Sequence, residues 1–375
     1  MINVFQPCLG TDELQAVEEV FASNWIGKGA KTKLFEEKFL EHIDVSRGGY
    51  VLSVNSCTES LFQVMRCFVE RGDEVIMPTC SFVGAANAVV DCGARVVFCD
   101  VDKRTLNATA QTVAEKITSK TKAVCILHFG GVPCEMDDLV SLCDAKNIVL
   151  IEDSATAVSS FYKGKACGTF GQAGTWSFDA MKILVCGDGG MIYVKDAEKF
   201  HAIKQNIYLG LISQSGFTNS VDSKWWEFQI DTFGRRSIMN DISSAIGLVQ
   251  LKKLPEFIAR RKKISALYDS LLSQADWFEC PPPLKDYRQS SYYMYHIQTK
   301  IPADRDRLAT YLRQNGIYTT FRYYPLHWVD LYAQKSQRLP NAEAAALCTL
   351  CLPIHQSLSD EEAEFICKKI LSFEG

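Results

Sequence analysis

Ser177-Phe178-Asp179-Ala180-Met181-Lys182, with Gly187-Asp188-Gly189-Gly190 close behind, is the stretch that decides the fold. Upstream lies the apolar run Ile148-Val149-Leu150-Ile151, which ends in Glu152-Asp153-Ser154-Ala155. One strand thus delivers an acid, and the next delivers a serine and a lysine beside glycines. Pyridoxal phosphate chemistry needs such a set: an acid for the pyridinium nitrogen, a lysine for the Schiff base, and a hydroxyl for the phosphate. Asp153, Lys182 and Ser177 are the candidates for those roles. The glycines give the backbone room to pass close to a cofactor.

The surrounding sequence repeats one unit. Strands are expected at 51–54, 74–77, 96–98, 123–127 and 149–151. Helices are expected at 59–68, 84–90, 110–117 and 137–145. Short, continuously apolar strands separated by helices imply a mostly parallel sheet covered by helices on both faces. Such sheets bind ligands at the carboxyl ends of their strands. Upstream, Thr11 is expected to cap a helix whose apolar positions are Leu14, Val17, Val20 and Phe21. A second amphipathic stretch runs from 32 to 43. Residues 210–233 form a polar loop in which Trp225-Trp226 favours packing at an interface. A long helix follows over 241–273. The run Pro281-Pro282-Pro283 cannot continue a helix and marks entry to a C-terminal region with a strand at 292–299 and helices near 303–314, 341–349 and 360–372.

The chain has 375 residues, more than one core usually holds, so a large domain and a smaller one are expected. Net charge is −4, and no basic stripe suggests nucleic acid. No signal peptide or membrane span is visible. The fifteen cysteines lie among apolar residues without a paired CxxC zinc pattern. They read as reduced, mostly buried side chains of a cytoplasmic protein, with no metal expected.

Other positions carry a functional and a structural reading side by side. Asn55-Ser56-Cys57-Thr58-Glu59 joins a strand to a helix, so Cys57 and Thr58 stand either at an anion site or at an ordinary cap. Phe82, after another strand, is either core or a ring stacked on the cofactor. His128, after the strand ending at Leu127, is either a satisfied core histidine or a group lining the site.

In this order these residues resemble the DegT/StrS-type sugar aminotransferases, over nearly the whole chain. Gly72-Asp73-Glu74-Val75-Ile76-Met77-Pro78, His128-Phe129-Gly130-Gly131-Val132-Pro133, Ile151-Glu152-Asp153-Ser154-Ala155 and the Ser177 to Lys182 segment are similar to that family's motifs. So are Met239-Asn240-Asp241-Ile242, Tyr323-Tyr324-Pro325-Leu326-His327 and Leu352-Pro353-Ile354-His355. The resemblance implies the α/β fold type I of PLP transferases, with a large domain over 1–250 and a smaller C-terminal α+β domain over 251–375. It implies a homodimer with shared active sites, joined by a cross-subunit loop at about 210–240. It also implies two half-reactions. Glutamate gives its amino group to PLP, leaving pyridoxamine phosphate and 2-oxoglutarate, and a nucleotide-linked keto sugar then takes the amine in polysaccharide or O-antigen biosynthesis.

Three departures from the family pattern stand out. Thr156 replaces the usual Gln or His beside the ring. Arg236 stands where a neighbouring subunit's Asn commonly reaches the phosphate. Arg322 replaces a His before Tyr323. Substrate-binding roles are expected for Arg322, Tyr323, His327 and His128. The segments 239–251 and 321–327 look more like relatives that aminate C4 of a 4-keto-6-deoxy sugar than those acting at C3. Amination of a cyclitol, dehydration on the same fold and a catalytically silent relative are the alternatives.

Overall fold

The computed structural model describes residues 1–43, 48–212 and 228–373. The pair Trp225-Trp226 lies outside the described residues. Strands β1 (Tyr50–Val54), β2 (Glu74–Pro78), β3 (Arg95–Cys99), β4 (Thr121–Leu127) and β5 (Val149–Asp153) come first in the chain. The short β6 (Phe161–Tyr162) and β7 (Lys165–Ala166) follow, then β8 (Ala173–Ser177) and β9 (Gly190–Val194). The main sheet has seven strands in the order β1-β9-β8-β5-β4-β2-β3. Every neighbouring pair is parallel except those made by β9.

Helices α1 (Thr11–Ala22), α2 (Ala30–His42), α3 (Cys57–Phe68), α4 (Val83–Asp91), α5 (Ala110–Ala114), α6 (Met136–Lys146) and α7 (Ala197–Asn206) belong to this part of the chain. Helix α8 (Asp241–Leu272) follows, then α9 (Pro302–Gln314), α10 (Pro340–Cys348) and α11 (Asp360–Leu371). Strands β2, β5, β8 and β9 are almost wholly buried. That explains the apolar runs Val75–Met77, Val149–Ile151 and Met191–Val194, since a strand covered on both faces has no polar side to show.

Two expectations are corrected at the N-terminus. Gly10, not Thr11, stands at the cap of α1, and its N–H donates to Glu13 Oε2 at 2.8 Å. Leu14 and Phe21 are not core positions: they are 72% and 62% exposed, and only Val20 of that stripe is fully buried. The expected helix 110–117 also stops early, at Ala114.

A second apolar cluster gathers Ile264, Tyr268 and Leu272 of α8 with Leu308, Leu312, Ile366 and Ile370 around a three-stranded sheet. That sheet is antiparallel, in the order β10 (Phe278–Glu279), β12 (Tyr295–Thr299), β13 (Thr349–Leu352). The remaining strand, β11 (Arg288–Gln289), pairs with β6. Helix α8 runs through both clusters, since its Leu254 and Phe257 pack into the main core.

Side chains and backbone of the 326–342 segment are tied to the ends of β2 and β3. Leu326 N–H donates to Thr79 O at 2.9 Å, and Gln334 and Gln337 donate to Val96 O and Phe98 O, each at 2.8 Å. Asp100 accepts from the first amides of α10, Asn341 at 3.0 Å and Ala342 at 2.8 Å. Among the described residues, no helix is long and apolar enough to cross a membrane.

Candidate active site

The antiparallel step between β8 and β9 creates the site. It turns the chain over residues 178–189, so the Lys182 loop stands at the carboxyl end of β8. Ser177 at that end pairs with Gly190, which in turn pairs with Val54 at the end of β1. The next residues are Asn55 and the cap of α3. A Cβ at Gly190 would stand 2.7 Å from Cys57 N and from Ser56 C and O, so only glycine lets β9 lie this close to the helix. Ser56 Oγ accepts from Glu59 N–H, and Ser56 O from Ser60 N–H. The Cys57 and Thr58 amides therefore head the helix beyond its internal hydrogen bonds, beside Ser177, as an anion site requires.

An aromatic cluster fixes the loop from below. Phe178 packs edge-on to Phe35 and Phe39 at 5.3 and 5.5 Å, and Phe39 to Trp176 at 5.1 Å. Within the loop, Lys182 N–H donates to Asp179 O and Cys186 N–H to Phe178 O.

Asp153 ends β5, its neighbour on β8 being Thr175. It is 1% exposed. Oδ1 accepts from Ala155 N–H at 3.0 Å, and Oδ2 is buried without a hydrogen-bond partner. Burial raises its pKa, against the lowering pull of Ala155 N–H, Lys182 and His128. An orphaned buried carboxylate oxygen is rare and costly. A pyridinium N–H is the donor that fits it, so the residues present fit PLP.

Lys182 Nζ lies 5.1 Å from the centroid of Tyr293. Burial alone would depress its ammonium, but Tyr293, Tyr323, Cys57 and Asp153 carry it above the usual lysine value. Of these, Asp153 is the group charged at neutral pH. Cys57 touches Thr175 Oγ1 at 3.8 Å, and burial beside Asp153 pushes its thiol well up. It is a neutral thiol, not a nucleophile.

The structure also brings in Tyr323, whose hydroxyl burial pushes up to about 12. Its ring is 6.2 Å from Phe82 and 6.4 Å from Phe129. Phe82 is 42% exposed and lies near Thr58, each crowding a Cβ built at Gly84. Arg322 bonds Met181 Sδ at 3.2 Å, next to Lys182.

Two expected substrate residues are turned into the core. Glu152 and Asp153 alternate on β5 and so face opposite sides of the sheet. His128 Nε2 donates to Glu152 on the far side at 3.1 Å, while its Nδ1 accepts from Cys134 N–H. Glu152 also accepts from the Gly168, Phe170 and Gly171 amides. His327 is fully buried, with Nδ1 2.7 Å from Thr79 Oγ1 and Glu343 at 3.5 Å, so it locks the 326–342 segment to β2. Thr156 is also buried, and its hydroxyl donates to His128 O at 2.7 Å. Arg236 stands apart: it is exposed, 5.5 Å from the Tyr208 ring.

Sequence reading did not single out Thr175, Tyr293 or Phe5, whose ring stacks on Tyr293 at 4.8 Å. Thr175 had a signal, being two residues before Ser177 on one strand and so on the same face. Tyr293 and Phe5 had none.

Comparison with known proteins identifies the family. Residues 7–371 match the profile of the DegT/DnrJ/EryC1/StrS aminotransferase family. The chain is 49% identical over 368 residues to the dTDP-4-dehydro-2,3,6-trideoxy-D-glucose 4-aminotransferase of Saccharopolyspora spinosa, covering 98% of this chain and 95% of that one. It matches the crystal structure of the aminotransferase TlmJ from Streptoalloteichus hindustanus with a TM-score of 0.93 at 51% identity, over 99% and 98% of the two chains. It also matches the PLP form of the sugar aminotransferase Spr1654 from Streptococcus pneumoniae, with a TM-score of 0.89 at 26% identity over 97% and 96%.

Proposed function

This chain belongs to the DegT/DnrJ/EryC1/StrS aminotransferase family and is a PLP-dependent aminotransferase, and we propose that it moves an amino group from glutamate to C4 of a nucleotide-linked 4-keto-6-deoxy sugar. The observation that carries the chemistry is the unpartnered Oδ2 of Asp153 in the same cluster as Lys182. When bound, PLP supplies an electron sink for the bonding pair at the reacting carbon.

In this reading, Asp153 holds the proton of the ring nitrogen. Lys182 Nζ holds the cofactor and moves protons at the reacting carbon. The Cys57 and Thr58 amides and Ser177 Oγ take the phosphate. Tyr323, Phe82 and Phe129 form an apolar wall suited to a 6-deoxy sugar, and Arg322 faces the diphosphate. The choice of C4 is supported by the 49% identity to an enzyme named for a 4-dehydro-6-deoxy sugar.

A homodimer belongs to the same proposal. Trp25, Ile26, Val83, Phe228, Ile230 and Phe233 are exposed apolar residues, Phe233 fully so. Side chains of this kind mark interaction surfaces when they gather. Arg236, from the same segment, then reaches the partner's phosphate site. The described cysteines are all free, which supports a cytoplasmic location.

Incubation with glutamate and separate 3-keto and 4-keto nucleotide sugars, with NMR location of the new nitrogen, tests the proposal. Amination at C4 of the 6-deoxy substrate is expected. Efficient amination at C3 alone, or of no nucleotide sugar, overturns it.

A further inference from the structure

Four side chains from four segments form a column beside the reactive lysine. Lys182 Nζ is 5.1 Å from the Tyr293 centroid. Tyr293 stacks on Phe5 at 4.8 Å with 12° between the planes. The Arg322 guanidinium lies 4.8 Å from the Phe5 centroid, and its Nη2 reaches Met181 Sδ, which closes the circuit at Lys182's own neighbour. Two stacked rings therefore carry a cation each. Both contacts are of the kind that stabilises an ammonium or guanidinium.

The N-terminal segment is held in place for this. Ile2 N–H donates to Gly316 O at 2.7 Å, Tyr318 N–H to Ile2 O at 2.9 Å, and Ile354 N–H to Val4 O at 3.1 Å. These bonds fix the backbone just before Phe5. Arg261 steadies the other ring, with Nη1 donating to the carbonyls of Tyr292 and Tyr293 at 3.1 and 3.4 Å.

Simple packing does not account for Tyr293. Its ring is fully buried, yet its hydroxyl has no hydrogen-bond partner. Phenylalanine would fill the same space without the cost of an unpaired hydroxyl. Asp153 Oδ2 is likewise buried without a partner, and the cofactor ring accounts for that one.

We propose that Phe5 and Tyr293 are positioning residues for Lys182, which makes the N-terminal segment part of the active site, and that the Tyr293 hydroxyl is left to bond the bound sugar. This rests on the reading of Lys182 as the reactive amine.

The test measures Lys182 directly in the cofactor-free protein. Reductive methylation with formaldehyde and cyanoborohydride is run across pH, and the Lys182 peptide is quantified by mass spectrometry. Tyr293→Leu lowers the midpoint by about half a pH unit to one unit, as expected for loss of its cation–π contact, and Phe5→Leu, which removes the ring that Tyr293 stacks on, lowers it in the same direction. Phe5→Tyr and Tyr293→Phe keep the rings and keep the midpoint. Tyr293→Phe additionally raises KM for the keto sugar about fivefold, the worth of one neutral hydrogen bond. Unchanged midpoints in both leucine variants overturn the positioning role, as do equal shifts in the conservative pair. An unchanged KM overturns the hydroxyl's role. Should Tyr293→Leu not fold, Phe5→Leu decides alone. Borohydride reduction of the PLP-loaded wild type separates the two levels: absence of a pyridoxyl group on Lys182 sinks the underlying reading, whatever the variants do.

Discussion

Replacing Asp153 with Asn keeps the side chain's shape and removes its charge. Oδ1 already has its donor in Ala155 N–H, so the loss falls on Oδ2, the oxygen without a partner. At 1% exposure, water screens this position little. A unit ion pair at about 3 Å with an effective dielectric near 20 is worth about 5 kcal/mol, an upper bound. The excess of a charge-assisted over a neutral hydrogen bond is about 1.5 kcal/mol, a lower one. A central figure of about 3 kcal/mol corresponds to a loss of roughly 10²-fold in the rate of amino transfer. The assay is a single turnover with glutamate alone, followed by the visible band of the bound cofactor. Borohydride labelling first confirms that the variant still holds PLP on Lys182. A variant within threefold of wild type refutes the reasoning, because the unpartnered oxygen then has no electrostatic task.

Gly190→Ala forces a methyl group to within 2.7 Å of the backbone at Ser56 and Cys57. Displacing that backbone costs about 1–3 kcal/mol, and PLP affinity measured by fluorescence titration falls roughly five- to 150-fold in proportion; unchanged affinity means the α3 terminus does not hold the phosphate. Mixing Lys182→Ala chains with Arg236→Ala chains regenerates activity, because one site of each heterodimer draws both residues intact; absence of recovery after proven subunit exchange removes Arg236 from the partner's site. Burial, aided by Arg261, sets the His355 ring at about 4 instead of the usual 6.5. A folded value below the unfolded one gives stability that is complete above about pH 6.5 and lost as pH falls toward 4, roughly 3 kcal/mol in all. Urea unfolding of His355→Gln therefore shows a shallower decline between pH 7 and 5 than wild type, and parallel curves count against the assignment.

The parallel sheet was legible because burial on both faces leaves Val75–Met77 of β2 and Ala123–Leu127 of β4 apolar without interruption, a pattern carried by the residues themselves. Asp153, Ser177 and Lys182 were legible because strand ends are where such sheets place ligands. The histidines were not. His128 and His327 carry the same side chain as a catalytic base, and what makes them structural is Glu152 in one case and Thr79 with Glu343 in the other. Those partners come from other parts of the fold, so local sequence does not reveal them. Phe5 and Tyr293 are far apart in the chain and meet only once the N-terminal segment lies on residues 316–318 and 354. Leu14 and Phe21 show the converse: their helical spacing is genuine, but it marks a surface left open in the single chain.

The bonds that join the 326–342 segment to the ends of β2 and β3 bear on how this scaffold acquires new substrates. Thr79, Val96, Phe98 and Asp100 each receive a hydrogen bond from that segment, and α8 threads both cores as one rod. These bonds and the shared helix hold the 326–342 segment against the strand ends in the single chain. Side chains such as Phe82, which make none of these bonds, are then positions whose replacement leaves the bracing untouched. An exchange at such a position changes the wall of the site while the segments that carry the lysine and the aspartate keep their own bonds.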